Sequence, residues 1–302
     1  MGEESLISLR QVMKRRHRLE IGPLNVEFPS GCVTAIVGMN GSGKSSMMAM
    51  LLGILHPDDG EIMVEGSPYD VSQDMSWKRR LGYVPELPSS EDDTQTMDQN
   101  ASQLSYWYPT WDWIYYRKLI ARYEVDPRTK LNKMSKGMRR KAELILALAH
   151  RPEILLLDEP TSGLDPISWR MMIEDLQHML QDGKYTIIIA THVVEEVKRL
   201  ADYILFLHQG KVLSMVEKDA LFDAWKEYWL EGVSVEDLEG APGLAAAVQE
   251  RQVVRVIAHD AQKLEQFFLD HQLSPIRTQA MPLDEVMYYQ IRLEDEGRER
   301  VR

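Results

Sequence analysis

One cysteine, Cys32, is all the thiol this 302-residue chain carries, so no disulfide can close within it, and a reducing compartment is the expected setting. Cys32 stands at the head of an apolar run, which predicts a packed, inert thiol rather than a reactive one. Positive charge is scarce as well: 35 Lys and Arg stand against 47 Asp and Glu, a formal net charge of −12. That balance argues against a broad nucleic-acid footprint and predicts no nucleic-acid partner. The one basic cluster, Lys14-Arg15-Arg16-His17-Arg18, reads as a solvated turn. Long apolar runs are missing too. Stretches such as Ile154–Leu157 and Ile187–Ala190 are strand-sized, far short of the ~20 residues a spanning helix needs. The opening Met-Gly-Glu-Glu-Ser has no basic-plus-apolar leader. The expectation is a soluble or peripheral protein, any membrane crossing being left to another chain.

What the chain does have is Gly38-Met39-Asn40-Gly41-Ser42-Gly43-Lys44-Ser45, a match to G-x-x-x-x-G-K-[ST]. Val33–Val37 before it reads as a buried strand and Ser45–Leu52 after it as a helix, the context in which this pattern is a phosphate cradle. Gly38, Asn40, Gly41, Ser42, Gly43 and Ser46 are the candidate nucleotide-binding residues around Lys44. The glycines let backbone N–H groups turn onto phosphates, and the helix N-terminus adds its positive dipole end. Lys44 supplies a point charge for the β/γ oxygens, and Ser45 a hydroxyl for Mg2+. The motif predicts a nucleoside triphosphate site.

The length allows a full α/β core with a smaller appended unit. Leu6–Leu9, Leu24–Phe28 and Gly60–Val64 alternate as strands and predict an antiparallel β layer. Leu81–Pro85 reads as a short strand. Met97 to about Tyr123 is helical and aromatic, broken by Pro109-Thr110 into two helices. Met138–His150 is a helix, while Ile154–Leu157 and Tyr185–Ala190 are buried parallel strands. Tyr203–Leu207 and Lys211–Val216 flank Gln209-Gly210 as a hairpin. Beyond about Lys218 the strands Tyr228–Val235 and Val253–Ala258 and the helices Ala261–Gln272 and Pro282–Arg292 suggest a separate small α/β domain, with Glu294–Arg302 frayed. The expected domains are 1–217, with a helical subdomain at about 97–150, and 218–302.

The apolar strand Ile154–Leu157 ends in Asp158-Glu159. Such a pair either presents acid to a metal or caps the next turn; with a phosphate loop upstream, Asp158 is the candidate Mg2+ ligand, direct or through water. Glu159 is the candidate acceptor of a proton from an attacking water. His192, after the strand ending at Ala190, can reach a γ-phosphate as donor or orient the water.

Taken together, Met134-Ser135-Lys136-Gly137-Met138, Leu155–Pro160, Ser162-Gly163-Leu164-Asp165 and Thr191-His192 resemble, in order, the signature, Walker B, D-loop and switch histidine of an ABC-type ATPase. The resemblance covers about the first two-thirds of the chain. Gly82-Tyr83-Val84-Pro85-Glu86 and Tyr108-Pro109-Thr110-Trp111-Asp112-Trp113 look most like nucleotide-binding subunits of bacterial ABC-2-type exporters, whose relatives handle drugs, peptide antibiotics or envelope components. It implies an α/β P-loop NTPase of the ABC ATPase type, with an antiparallel β layer, a helical subdomain and a small C-terminal α/β domain. It implies ATP and Mg2+, a second ATPase subunit (identical or related), a multi-span membrane permease, and a place on the cytoplasmic face of the bacterial membrane. Ser135, Lys136, Gly137 and Met138 would serve the opposite subunit's γ-phosphate, and Asp165 would lie at the interface.

Four positions depart from that pattern. Glu86 stands at the usual glutamine; its carboxylate can take the metal-side role, and its extra negative charge either tightens Mg2+ or repels phosphate. Lys136 replaces a glycine, which either puts a cation beside the γ-phosphate or points it into solvent, the second being the expectation. Met138 replaces a polar residue. The loop before the second strand offers no aromatic platform for the base, leaving His17 or Arg16 to stack. The aromatic stretch around Trp111 either packs the helical subdomain or lines a groove for a coupling helix. A non-transport ABC ATPase, acting as a regulatory, ribosome-associated or nucleic-acid factor, would favour fused ATPase domains or a basic linker; a P-loop kinase gives no reason for Ser135, Gly137 and Asp165.

Overall fold

The computed structural model describes residues 5–16, 19–69, 75–87 and 94–300. Its opening hairpin pairs β1 (Ser5–Arg16) antiparallel with β2 (Leu19–Pro29). Ile21, Leu24, Val26 and Phe28 alternate inward along β2, while the residues between Leu24, Val26 and Phe28 face water, as a half-buried strand requires. The described part of the basic cluster is strand rather than turn: Lys14, Arg15 and Arg16 stand opposite Ile21, Glu20 and Leu19. Acid partners make this possible, with Lys14 Nζ 2.6 Å from Asp58 Oδ1 and Arg15 Nε 3.3 Å from Glu20 Oε1. His17 and Arg18 lie outside the described residues.

Between this layer and the site runs β3 (Val33–Val37), buried at every position, followed by α1 (Lys44–Leu51). The strands β4 (Asp59–Val64) and β5 (Ser67–Pro68) complete a sheet of order β2-β1-β4-β5. After the short α2 (Met75–Lys78) comes β6 (Leu81–Val84). A helical segment follows: α3 (Met97–Trp107), α4 (Trp113–Tyr123), a 3-10 turn at Leu131–Lys133 and α5 (Lys136–Leu148). Local chemistry sets these starts. Thr96 and Gln99 form a reciprocal capping box, Asp112 caps α4 and Ser135 caps α5, each cap being worth about 1 kcal/mol. The break at Pro109-Thr110 is tied to the end of α5, where Thr110 Oγ1 donates to the His150 carbonyl at 2.6 Å and Asp112 N to that of Ala149 at 2.8 Å. Of the aromatic stretch, Tyr116 and Tyr123 are buried core, while Tyr106 and Trp107 are exposed.

The chain then weaves β7 (Ile154–Asp158), α6 (Pro166–Leu180), β8 (Thr186–Ala190), α7 (Val194–Leu200), β9 (Tyr203–His208) and β10 (Lys211–Glu217). These strands build a six-stranded sheet of order β10-β9-β3-β8-β7-β6, parallel from β9 through β6. Both β7 and β8 are buried throughout, which is why they read as unbroken apolar runs. The carboxyl ends of β3, β6, β7 and β8 therefore share one edge of the sheet.

The chain divides into two compact units, Met1–Met215 and Val216–Arg302. The second holds α8 (Lys218–Ala224), β11 (Lys226–Glu231), β12 (Leu244–Glu250), β13 (Val253–Ala258), α9 (Ala261–Asp270), β14 (Arg277–Ala280) and α10 (Leu283–Arg300). Its antiparallel sheet runs β12-β13-β11-β14, with Tyr228, Val254, Val256, Leu264 and Phe268 in its core. The expected strand Tyr228–Val235 ends early, because Gly232 turns the chain at φ +71°. The expected frayed end is helical to Arg300, since a run of charged residues is no bar to an exposed helix. Among the described residues no helix is long and apolar enough to cross a membrane.

Candidate nucleotide site

The loop from Gly38 to Gly43 leaves β3 and enters α1 at Lys44. Gly41 and Gly43 adopt φ of +79° and +110°, backbone that side chains resist, and a Cβ at Gly41 would meet nothing within 4 Å. The loop thus opens an empty concave face lined by main chain. Asn40 and Gly41 are exposed on it, Ser46 is half-buried, and Gly38, Ser42 and Gly43 are buried beneath. Lys44, only 7% exposed, donates from Nζ to the Gly38 carbonyl at 2.8 Å and the Met39 carbonyl at 3.4 Å. These two carbonyls hold the ammonium under the loop, where it can meet an anion.

The turn at Gly210, itself held by Gly22 of β2, braces this loop. Gly210 N donates to the Ser42 carbonyl and Gly22 N to the Gly210 carbonyl, both at 2.8 Å. A Cβ on Gly210 would sit 2.2 Å from the Glu20 carbonyl. In the sequence Gln209-Gly210 signals only a hairpin turn; its role as a prop beneath the phosphate loop depends on the fold.

A cavity of about 280 Å³ brings Asn40, Lys44, Ser45, Glu86, Asp158 and Glu159 together, with Leu19, Gly41, Gly43 and Ser46 completing its wall. Burial pushes the Asp158 carboxyl up to about 6, reinforced by the negative charge of Glu86 and Glu159 and opposed by the Ser45 hydroxyl and Lys44. Asp158 Oδ1 is buried without a hydrogen-bond partner. A wall of three carboxylates with an orphaned oxygen is short of positive charge, and a divalent cation answers that deficit. Among the described residues no cluster of His, Cys, Asp or Glu is tight enough to hold a metal unaided, so phosphate oxygens and water would complete the shell. Glu86 itself is exposed, and its loop is pinned from α5: Arg140, buried to 2%, donates from Nη2 to the Glu86 carbonyl at 2.5 Å and from Nη1 to that of Pro85.

Glu159 and His192 meet across the ends of β7 and β8. His192 Nδ1 lies 2.7 Å from Glu159 Oε2, with the histidine side chain 67% exposed and the glutamate 10%. Glu159 sits in the left-handed region at φ +47°, and its N–H donates to the Ala190 carbonyl at 2.9 Å. A carboxylate paired to an imidazole beside a phosphate cradle can accept a proton from water.

Ser135, Lys136, Gly137, Met138 and Asp165 are not in the cavity wall of their own chain. Ser135 Oγ accepts from Met138 N at 3.3 Å, and Met138 is 37% exposed. Lys136 is exposed. Its Nζ donates to Ser162 Oγ at 3.0 Å, and its stem covers Gly163, where an added Cβ would lie 2.9 Å from Lys136 Cδ. A glycine at 163 leaves room for the lysine methylenes. Asp165 caps α6 through the N–H groups of Ile167 and Ser168, and hydrogen bonds from Ser168 hold its carboxyl down at about 2. Among the described wall residues none is aromatic, and His17 lies outside the described residues.

The family described as ABC transporter matches residues 21–162. The chain is 33% identical over 225 residues to the Nod factor export ATP-binding protein I of Burkholderia orbicola (strain AU 1054), covering 72% of this chain and 73% of that protein. It is 28% identical over 214 residues to the bacitracin transport ATP-binding protein BcrA of Bacillus licheniformis, covering 68% and 67%. Its fold is similar to a solved dimeric structure of a post-hydrolysis state of the ATP-binding cassette MJ0796 bound to ADP and Pi, with a TM-score of 0.61, 22% identity, and coverage of 70% of this chain and 98% of that one.

Proposed function

The chain belongs to the ABC transporter family, and from that premise we propose that it is the ATP-binding and ATP-hydrolysing subunit driving a separate membrane-spanning partner, with a drug, peptide antibiotic or envelope component as the exported cargo. The observation that carries the hydrolytic part is the 2.7 Å contact between His192 and Glu159 beside the Lys44 loop. The backbone N–H groups of Gly41 to Ser45 and the Lys44 ammonium bind the triphosphate. Ser45, Asp158 and Glu86 would hold Mg2+, which would supply positive charge against the phosphates. Glu159 takes a proton from the water that attacks the γ-phosphorus, the bond to the β-phosphate oxygen breaks, and ADP leaves. His192 holds Glu159 through Nδ1 and offers Nε2 to the water or the γ-phosphate.

Ser135, Lys136, Gly137 and Met138 lie outside their own chain's cavity, and this supports their service to a second subunit, identical or related. Donors supplied in trans would make turnover depend on closure. With no spanning helix among the described residues, work at the cytoplasmic face of a membrane needs a permease partner. A net charge of −12 favours this over a nucleic-acid factor. Co-purification from detergent-solubilised bacterial membranes tests the assignment: a multi-span protein should travel with the chain and raise its ATPase rate, whereas a chain that never retains one is not a transport subunit.

A further inference from the structure

Behind the Glu159–His192 pair lies another carboxyl group that the reading above does not use. Glu196, on α7, is fully buried at 0% exposure. Its Oε1 accepts from the hydroxyl of Thr161, close after Glu159 in sequence. The other oxygen, Oε2, is buried with no hydrogen-bond partner. Thr191 is buried in turn, and its Oγ1 accepts from Val193 N at 3.0 Å, which closes the turn that carries His192. The Thr161–Glu196 bond thus joins the chain leaving β7 to α7, the helix that follows β8 and His192.

Packing alone gives no reason for an acid here. Val197 and Leu200 already anchor α7 at 1% and 5% exposure, and burial pushes the Glu196 carboxyl up, against the pull of the Thr161 hydroxyl. A buried carboxyl is destabilising unless it makes specific hydrogen bonds. The backbone supplies the demand for them: Glu159 stands at φ +47°, and a left-handed non-glycine residue persists only where its surroundings over-determine it. The Glu159 N–H to Ala190 carbonyl bond restrains one side of that residue, and the Thr161–Glu196 bond restrains the other.

We propose that Glu196 is the positioning residue that clamps the Glu159 turn to the His192 turn, keeping the pair in contact while nucleotide is hydrolysed. The inference rests on the hydrolytic roles given to Glu159 and His192 above. The full-length chain is assayed for kcat and KM with MgATP and for affinity toward a fluorescent ATP analogue, in Glu196→Ala, Thr161→Val, Glu196→Gln and Glu159→Gln variants. Loss of the clamp in Glu196→Ala and Thr161→Val should lower kcat by at least ~10-fold while nucleotide affinity stays within about 2-fold, because small misplacements of catalytic groups are felt in the rate. Glu196→Gln retains an oxygen that accepts from Thr161, so it should keep kcat within about 3-fold. Wild-type kcat in Glu196→Ala, a parallel fall of kcat and affinity, or a Glu196→Gln loss as deep as that of alanine overturns the clamp. Should Glu196→Ala fail to fold, Thr161→Val is judged by the same criteria. Near-normal turnover in Glu159→Gln instead overturns the hydrolytic reading itself; a dead Glu159→Gln beside a normal Glu196→Ala removes only the clamp.

Discussion

His192 Nδ1 stands 2.7 Å from Glu159 Oε2, and this contact fixes what the ring can do. A carboxylate only accepts, so Nδ1 carries the hydrogen of this bond. Nε2 is then left to accept from water when the ring is neutral, or to donate to phosphate when it is protonated. Either role depends on Glu159 remaining where it is, and the two residues act as one unit.

Glu159→Gln should therefore preserve ATP binding and slow hydrolysis by at least ~10²-fold, as expected for loss of a positioned base. His192→Ala should fall comparably, and the double variant should be little worse than either single one, because groups acting together are grossly non-additive. Single-turnover hydrolysis measured beside nucleotide affinity checks this. Independent, multiplicative losses would separate the two residues.

Gly137 carries a second prediction. A Cβ there would stand 2.8 Å from the Gly163 carbonyl, so Gly137→Ala must push the segment Ser162–Asp165 away from the start of α5. Lys136 on Ser162 and Lys141, 3.8 Å from Asp165, bind the same two segments together. The chain's own cavity does not include Gly137, so affinity for a fluorescent ATP analogue should stay within about 2-fold, while turnover falls at least ~10-fold through the lost trans donors. A variant that loses nucleotide affinity instead would place Gly137 in its own chain's site.

Local patterns made most of this site legible from residues alone. Gly38–Ser45 between an apolar strand and a helix, and Asp158-Glu159 at the end of Ile154–Leu157, are each contiguous, and the sheet places them where that contiguity says. What stayed hidden is long-range. Glu196 meets Thr161 across 35 residues, and Arg140 grips the Glu86 carbonyl across 54. Nothing in a short window marks a glutamate on a charged helix as buried, or an arginine as the prop of a distant loop. The contact of Lys136 with Ser162 is long-range in the same way.

Base selectivity should be modest. Leu19 is the bulky apolar side chain of the cavity wall, and no aromatic ring joins it among the described residues. Stacking on an aromatic ring is typically worth about 1–3 kcal/mol per base, and without it adenine has little advantage over guanine. GTP should compete with ATP at a Kd within about tenfold in displacement titrations, the ratio that ~1.4 kcal/mol represents. A hundredfold preference for ATP would overturn this prediction.

His150 makes the stability of the first unit sensitive to acid. The ring is 2% exposed, stacks on Tyr108 with centroids 4.0 Å apart, and has a buried Nδ1 without a partner. Burial pushes its pKa down from 6.5 to about 4, so the folded chain holds the ring neutral where the unfolded chain would protonate it. Between those two values the unfolded state binds the extra proton. The contribution is therefore intact above pH 6.5, is lost as the pH falls toward 4, and is flat below that, reaching about 3 kcal/mol. His150→Phe keeps a ring against Tyr108 and removes the titration. Urea unfolding of the two proteins at pH 7.5 and pH 4.5 should show the variant losing less stability than wild type over that interval. Equal acid slopes would mean that the wild-type ring takes up its proton without unfolding, and is not held neutral by burial.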